Sequence, residues 1–422
     1  MTQFPSQPPN PEVEEIIRPT AYNFRLQDIL LGAQMLFVAF GALVLVPILA
    51  GLNPNVALLT SGVGTLCFQA VTGGKVPVYL ASSFAFIAPI TLSIEQYGLP
   101  ATLSGLAAAG VVYLLLSLMI FWRGSGIITR ILPPIVTGPV IMVIGLSLAA
   151  TAVKMASEAG EGYTENIAIA VAMVSLMATM LTAILARGFL RLIPILMGII
   201  VGYLVTLPLG MVDFSPVAQA PWFELPQFTT PRLSLPAILF IVPVAIAPAI
   251  EHIGDVLAIS SVTKKNFIQD PGLHRTLLGD GLATTLAAFV GGPPNTTYSE
   301  VTGAVALTKT FNPAIMTWAA IIAILLSFLG KLEALLQTIP TPVMGGILVV
   351  LFGTIVVVGM NSLVQSGADL LQARNLVIVA VILILGVGGM SVKTGAFALQ
   401  GIGLSSVLGV LLNGLLPRKE NH

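Results

Sequence analysis

Apolar runs of spanning or near-spanning length recur along the chain, separated by short polar breaks. A hydrocarbon core about 30 Å thick needs about 20 helical residues. On that measure the pattern predicts fourteen segments, at residues 29–50, 55–72, 78–91, 102–122, 132–152, 166–186, 189–209, 234–260, 275–291, 297–309, 313–330, 341–360, 374–389 and 395–416. The third and the tenth are too short to cross as plain helices. The ninth is marginal and carries Asp280.

The tenth segment lies in the stretch Phe289 to Lys309. Pro293 and Pro294 remove two backbone donors and stop any helix arriving there. Asn295, Thr296 and Thr297 favour extended or capping backbone. Tyr298, Ser299 and Glu300 then open an apolar run that ends at Lys309. Broken backbone at membrane depth survives only where protein buries it or it lines a cavity. A half-helix starting there aims free N–H groups and a positive dipole end at a ligand. Glu300 in its first turn is a functional-site candidate, with Thr302 in support.

Composition sets the class. Of 422 residues, 56% are hydrophobic and 9% charged, against about 25% charged in a soluble domain. The chain is therefore a polytopic protein with the lipid bilayer as its solvent. Its net charge is zero, so nothing points to nucleic acid. The single cysteine, Cys67, has no disulfide partner, and no Cys/His cluster implies a metal. No nucleophile–base–orienter set or phosphate loop suggests an enzyme. Residues 1–25 are polar, Pro-rich and acidic (Glu12, Glu14, Glu15) and read as a cytoplasmic tail without a cleavable signal.

Orientation follows from Lys and Arg. With the N-terminus inside, fourteen fall on the inner side: Arg18, Arg25, Lys75, Arg123, Arg130, Arg187, Arg191, Lys264, Lys265, Arg275, Lys309, Arg374, Arg418 and Lys419. Lys154, Arg232, Lys331 and Lys393 fall outside. This bias requires an even number of spans and keeps both short segments, since dropping one reverses everything after it.

An internal repeat is also present. Ile131, Pro134, Gly138 and Gly145 recur as Ile339, Pro342, Gly346 and Gly353 at a constant offset of 208 positions. The two copies lie seven spans apart. An odd number of spans per half makes the halves inverted in the membrane, and paired broken segments in matching places mark a binding site. Segments three and ten are such a pair.

Segment three reads Pro77 to Pro89, with Val78 and Tyr79 strand-like, Ser82 and Ser83 suited to start a half-helix, and Phe84 and Phe86 as rings for a flat ligand or for the core. In segment eight, Glu251 and Asp255 share one helix face, which should point at a cavity. A pair of carboxylates that close suits a proton relay; a solvated place near the inner end is the alternative for Asp255. His252 points about 100° away, as a hydrogen-bonded packing residue. Asp280 is either another intramembrane acid or a helix cap near Arg275. Glu251 and Glu300 as acceptors, half-helix N–H donors, and the Phe84 and Tyr298 rings together suit a planar neutral ligand with N–H and C=O groups on its edge. An inorganic anion is repelled by the two carboxylates.

The motifs Phe40–Pro47, Ser82–Phe86, Glu251–Gly254, Asp270–Arg275, Gly291–Tyr298, Glu300–Gly303 and Pro342–Gly346 resemble the nucleobase–ascorbate transporter (nucleobase cation symporter-2) family, and within it the uracil permease branch, from about Leu30 to Leu416. The resemblance implies an all-α polytopic fold of fourteen segments in two inverted repeats of seven, with short strands in segments three and ten. It implies a core domain at residues 26–122 (segments 1–4) and 231–330 (segments 8–11), and a gate domain at 123–230 (segments 5–7) and 331–422 (segments 12–14). It further implies a homodimer, elevator-like movement of the core, a bacterial cytoplasmic membrane with both termini inside, and proton symport without any other cofactor. Carried over by position, Glu251 and Glu300 bind the pyrimidine N–H edges, backbone amides at Phe84 and Ser299 bind its carbonyls, and Tyr298 lines the site. Glu251, Asp255 and Glu300 are the candidates for the coupled proton, and Gln34, Ser82, Ser83, Asp280 and Thr302 support the site.

Three departures qualify this. Met35 stands where the family pairs His with Gln34, Val301 replaces an Asn after the segment-ten acid, and Asp255 resembles the xanthine and urate branch where uracil permeases often carry His. Because the Asn295–Glu300 block surrounds the ligand, uracil is the expected substrate. Xanthine or another purine is the alternative, and an anion exchanger of the same fold is the competitor from another class.

Overall fold

The computed structural model describes residues 21–124, 126, 132–160, 162–394 and 397–417. Tail residues 1–20, Arg130, Ile131 of the repeat, Arg418 and Lys419 lie outside them.

Almost all regular structure is helical. Helices α1 (Ile29–Ala50) and α2 (Pro54–Thr72) are joined by a tight turn, in which the Asn53 side chain accepts hydrogen bonds from the amides of Asn55 (2.8 Å) and Val56 (3.0 Å) ahead of Pro54. An Asn cap followed by Pro at the first helical position is a strong start signal. Strand β1 (Leu80–Ser82) and a 3₁₀ turn (Phe84–Phe86) precede α3 (Ile87–Tyr97). Then come α4 (Leu99–Arg123), α5 (Pro134–Ser157), α6 (Glu165–Leu185), α7 (Pro194–Thr206) and the short α8 (Ser215–Gln219). The eighth segment is broken into α9 (Leu235–Ile241), a 3₁₀ turn at Val242–Ala245 and α10 (Ile246–Thr263). Pro243 lies in the break, where its ring and missing N–H forbid the straight ladder.

The second half contains α11 (Leu273–Val290), strand β2 (Asn295–Thr297), α12 (Ser299–Thr308), α13 (Ala314–Leu326), α14 (Gly330–Gln337), α15 (Thr341–Gln365), α16 (Ala373–Val387), the hairpin β3 (Ser391–Thr394) and β4 (Phe397–Gln400), and α17 (Gly401–Leu415). Among the described residues, seven helices or helix runs are long and apolar enough to cross a membrane, and α7, α13, α16 and α17 are shorter apolar helices. The last segment differs from the helix expected over 395–416. Its first residues form β4, because Gly389 (φ +65°) and Gly401 (φ +50°) adopt left-handed backbone that ends one helix and delays the next.

Small residues let the helices meet at backbone distance. Three of the four repeat glycines, Gly138, Gly145 and Gly346, serve this purpose. In the antiparallel pair of α5 and α15, Gly138 faces the Gly359 carbonyl and Gly145 the Phe352 carbonyl. Helix α11 is wedged between α2 and α4, with Gly279 against Phe68 and Gly110 of α4 against Thr285. This close fit explains a mid-chain helix of low hydropathy: α11 faces protein, and Thr276, Asp280 and Thr284 on it are at most 1% exposed.

A β-carbon at Gly110 meets Thr285 Oγ1 at 2.2 Å and two backbone atoms of α11 within 3.0 Å. Gly110→Val should therefore push α4 off α11, at a cost of about 1–3 kcal/mol or more, read as a lower melting temperature of the detergent-purified protein.

Candidate functional site

Two half-helices meet head to head at the centre of the fold. Strand β1 pairs antiparallel with β2 in the register Leu80↔Thr297, Ala81↔Thr296 and Ser82↔Asn295. All six residues are buried. Beyond the strands, Ser83 N donates to Pro294 O (2.9 Å) and Tyr298 N donates to Tyr79 O (3.2 Å). The pattern is two-fold symmetric about Ala81 and Thr296. Each outer strand edge is closed by a threonine, joined on the β1 side by Ser61, whose Oγ donates to Leu80 O (2.7 Å). Thr65 of α2 accepts from Leu80 N (2.9 Å) and donates to Leu80 O (3.3 Å); Thr284 of α11 accepts from Asn295 N (3.2 Å) and donates to Asn295 O (3.0 Å). Asn295 Nδ2 adds a bond to Thr60 O (3.1 Å). Non-helical backbone is thus satisfied inside an apolar body, as its burial demands.

Each strand runs into a helix start. Neither Ser83 nor Tyr298, the residues before those starts, caps its helix through a side chain. The first-turn amides of α12 have no intrahelical acceptor, and they carry the positive end of the helix dipole. Tyr298, 3% exposed, donates through Oη to Ser82 O (2.7 Å) and so crosses from one half-helix to the other. Its ring stacks on Phe84 (centroids 6.4 Å apart, planes at 22°). Phe352 of α15 meets Phe84 edge-on at 6.4 Å. The first residue of α12, Ser299, is exposed, Glu300 and Glu251 are half-buried, and Gly254 of α10 and Gly303 of α12 face open space. The junction therefore opens along α10 and α12.

The acids fall into three environments. Glu251 is bonded to no other described residue, and the Glu300 carboxylate turns back on its own amide. Asp255 is 5% exposed and accepts from Thr297 Oγ1 (2.7 Å) and Ser299 Oγ (2.5 Å). It belongs to the junction rather than to a solvated helix end. Asp280 lies in the middle of α11, not at a cap, and is fully buried with His252, whose Nδ1 stands 3.2 Å from Asp280 Oδ2. His252 Nε2 lies 3.0 Å from Thr276 Oγ1, which itself donates to Leu273 O. Thr276 has one hydroxyl proton, so His252 Nε2–H is the donor in that contact. His252 Nδ1 and the Asp280 carboxylate then face each other with no hydrogen-bond partner of their own among the described residues.

Of the remaining sequence-selected residues, Ser82 is buried and contacts Leu43 O (3.4 Å). Ser83 Oγ and Thr302 Oγ1 are buried without a partner, and Gln34 on α1 is half-buried without a hydrogen bond to a described residue. Sequence reasoning missed Phe352, Thr65, Thr284 and the His252–Asp280 contact. Phe352 is adjacent to the repeat glycine Gly353; the two threonines lie in segments two and nine, seven apart, a relation visible only once the strands they serve are known. Among the described residues no cluster of His, Cys, Asp or Glu could hold a metal.

Comparison with known proteins places the chain. The Permease family matches residues 26–395, and the chain belongs to that family; it is a permease, not an enzyme. It is 55% identical to a probable uracil permease of Pasteurella multocida over 92% of this chain and 94% of that one. It is 48% identical to the uracil permease of Bacillus caldolyticus (93% and 92% covered) and 42% identical to that of Escherichia coli K12 (92% and 91%). Among solved structures, the transmembrane domain of the cyanobacterial bicarbonate transporter BicA superposes with a TM-score of 0.61, covering 92% of this chain and 97% of that one. The murine Solute Carrier 26 family member A9 anion transporter gives 0.64, covering 98% and 73%. Both are 14% identical to this chain and show the fold alone.

Two stability outcomes follow from the geometry. Thr65→Val leaves the buried Leu80 amide short of a partner while Leu80 O keeps Ser61 Oγ, and Thr284→Val leaves both the amide and the carbonyl of Asn295 short; each should cost about 1–3 kcal/mol, with the larger drop in melting temperature for Thr284→Val. His252→Leu leaves Asp280 buried without a counter-group, a change that costs about 3–5 kcal/mol; Asp280→Asn, whose amide can donate to His252 Nδ1, should lower the melting temperature far less.

Proposed function

We propose that this permease carries a nucleobase, uracil before other nucleobases, into the cell by proton symport. The observation that carries this reading is the junction itself: free half-helix amides, two carboxylates without side-chain partners and stacked rings, all in one buried opening. Uracil offers carbonyls to the amides at Phe84 and Ser299, N–H groups to Glu251 and Glu300, and a flat face to Phe84 and Tyr298. The names of the relatives agree. An anion exchanger is the poorer fit, because Glu251 and Glu300 repel an anion.

Fourteen segments in two inverted repeats account for the helices: seven long spans, four shorter ones, the polar α11 and two half-helices. The two-fold bonding about Ala81 and Thr296, and the matching Thr65 and Thr284, support the inversion. We assign residues 26–122 and 231–330 to a core that carries the site, and 123–230 and 331–422 to a gate against which the core slides. Phe352 meets Phe84 across that boundary. The assembly is a homodimer in a bacterial cytoplasmic membrane with both termini inside. The coupled proton is carried by one of the three acids Glu251, Asp255 and Glu300.

Purified protein in liposomes should accumulate radiolabelled uracil when an inward proton gradient is imposed, with little competition from xanthine. Glu251→Gln should lower gradient-driven uptake about tenfold or more, the worth of one hydrogen bond to a charged group. Accumulation of xanthine in place of uracil overturns the substrate assignment. Undiminished gradient-driven uptake by Glu251→Gln removes that residue from the mechanism.

A further inference from the structure

The three acids of the proposed site differ in what holds them, and that difference separates their roles. Glu251 and Glu300 face the opening with no side chain bonded to them. Asp255 is already engaged: Thr297 Oγ1 donates to Oδ2 at 2.7 Å and Ser299 Oγ donates to Oδ1 at 2.5 Å. Neither hydroxyl has another hydrogen bond among the described residues. Thr297 ends β2 and Ser299 begins α12. Both oxygens of one carboxylate on α10 thus grip the two sides of Tyr298, the residue that bonds to Ser82 and stacks on Phe84. A carboxylate beside the N-terminus of α12 is also favoured by the helix dipole and by the open amides there.

We infer that Asp255 is a positioning residue, a clamp that fixes α10 against the β2–α12 junction and so aims Tyr298 and the first-turn amides at the nucleobase, rather than the carrier of the coupled proton. The inference rests on the proposed function and divides its three acids into one that holds the site and two that meet the ligand. The titratable neighbours are Glu251 and His252 on α10, Asp280 on α11 and Glu300 on α12; β2 supplies only hydroxyls and its Asn, α17 carries no titratable group, and α5 has only Lys154 near its far end. Those neighbours are three acids and His252, whose Nδ1 faces Asp280, so among the described residues the two hydroxyls are the groups bonded to the Asp255 carboxyl.

The test is a double-mutant cycle of Asp255→Asn and Ser299→Ala in proteoliposomes, with radiolabelled uracil as the probe and wild type alongside. Each single variant should raise KM, Asp255→Asn by about tenfold, with less effect on kcat. The double variant should match Asp255→Asn alone, since one clamp is lost in either case. At saturating uracil, gradient-driven accumulation and its pH profile should stay as in wild type. Additive effects on KM overturn the clamp. Loss of gradient-driven accumulation in Asp255→Asn, with exchange of labelled for unlabelled uracil intact, makes Asp255 the proton carrier and overturns the inference. Should Asp255→Asn fail to reach the membrane, Ser299→Ala removes the same tie from the other side, and an altered pH profile in that variant counts equally against the clamp. Absence of uracil uptake in wild type is a separate failure, of the proposed function itself.

Discussion

Backbone amides and carbonyls inside a membrane protein must find partners within the protein, because lipid offers none. A continuous helix solves this by itself. A chain that stops its helix halfway, to point free amides at a cargo, creates a local shortage of partners that the rest of the molecule must make good. Here the two interrupted segments supply each other, strand to strand, and two threonines on neighbouring helices finish the edges. The arrangement of α2 and α11 follows from this. Both must lie close enough for a threonine to reach the strand, which is why α11 is packed tightly on glycines and why it can be too polar for a lipid-facing helix.

The same constraint explains what could be read from the chain. Interruptions are visible because only a few residues make them: Pro293 and Pro294 followed by Asn295, Thr296 and Thr297, or the small residues around Ser82. The acids Glu251, Asp255, Glu300 and Asp280 are visible because charge is rare in apolar sequence. Pairing is another matter. Nothing in residues 252 or 280 says that they meet, since the contact depends on how α10 rotates against α11. The hydroxyls of Thr65 and Thr284 look like any others in a small-residue helix. Phe352 is one aromatic among many until α15 is set beside Phe84. Strand β4 was hidden by an apolar composition that suits a helix equally well, with the glycines at 388, 389, 395 and 401 to argue otherwise.

Seen together, the polar groups of the interior form a graded series. The His252–Asp280 pair is sealed away from any opening and serves α10 and α11. Asp255 stands at the edge of the junction and is consumed by hydroxyls. Glu251 and Glu300 are left without a side-chain partner among the described residues. Groups whose hydrogen-bonding capacity is spent hold shape, and groups whose capacity is unspent are available to something that comes and goes.

The strand pair has a bearing on how the molecule is made. Tyr79 O accepts from the amide of Tyr298, a residue more than two hundred positions further along the chain. The first interrupted segment therefore enters the bilayer well before its partner has been synthesised, with its strand edge still unpaired. Closing so long a loop is slow compared with the local contacts of the helices. The strand pair can close only once residue 297 has been made, and a chain arrested before β2 holds a buried strand edge without its partner.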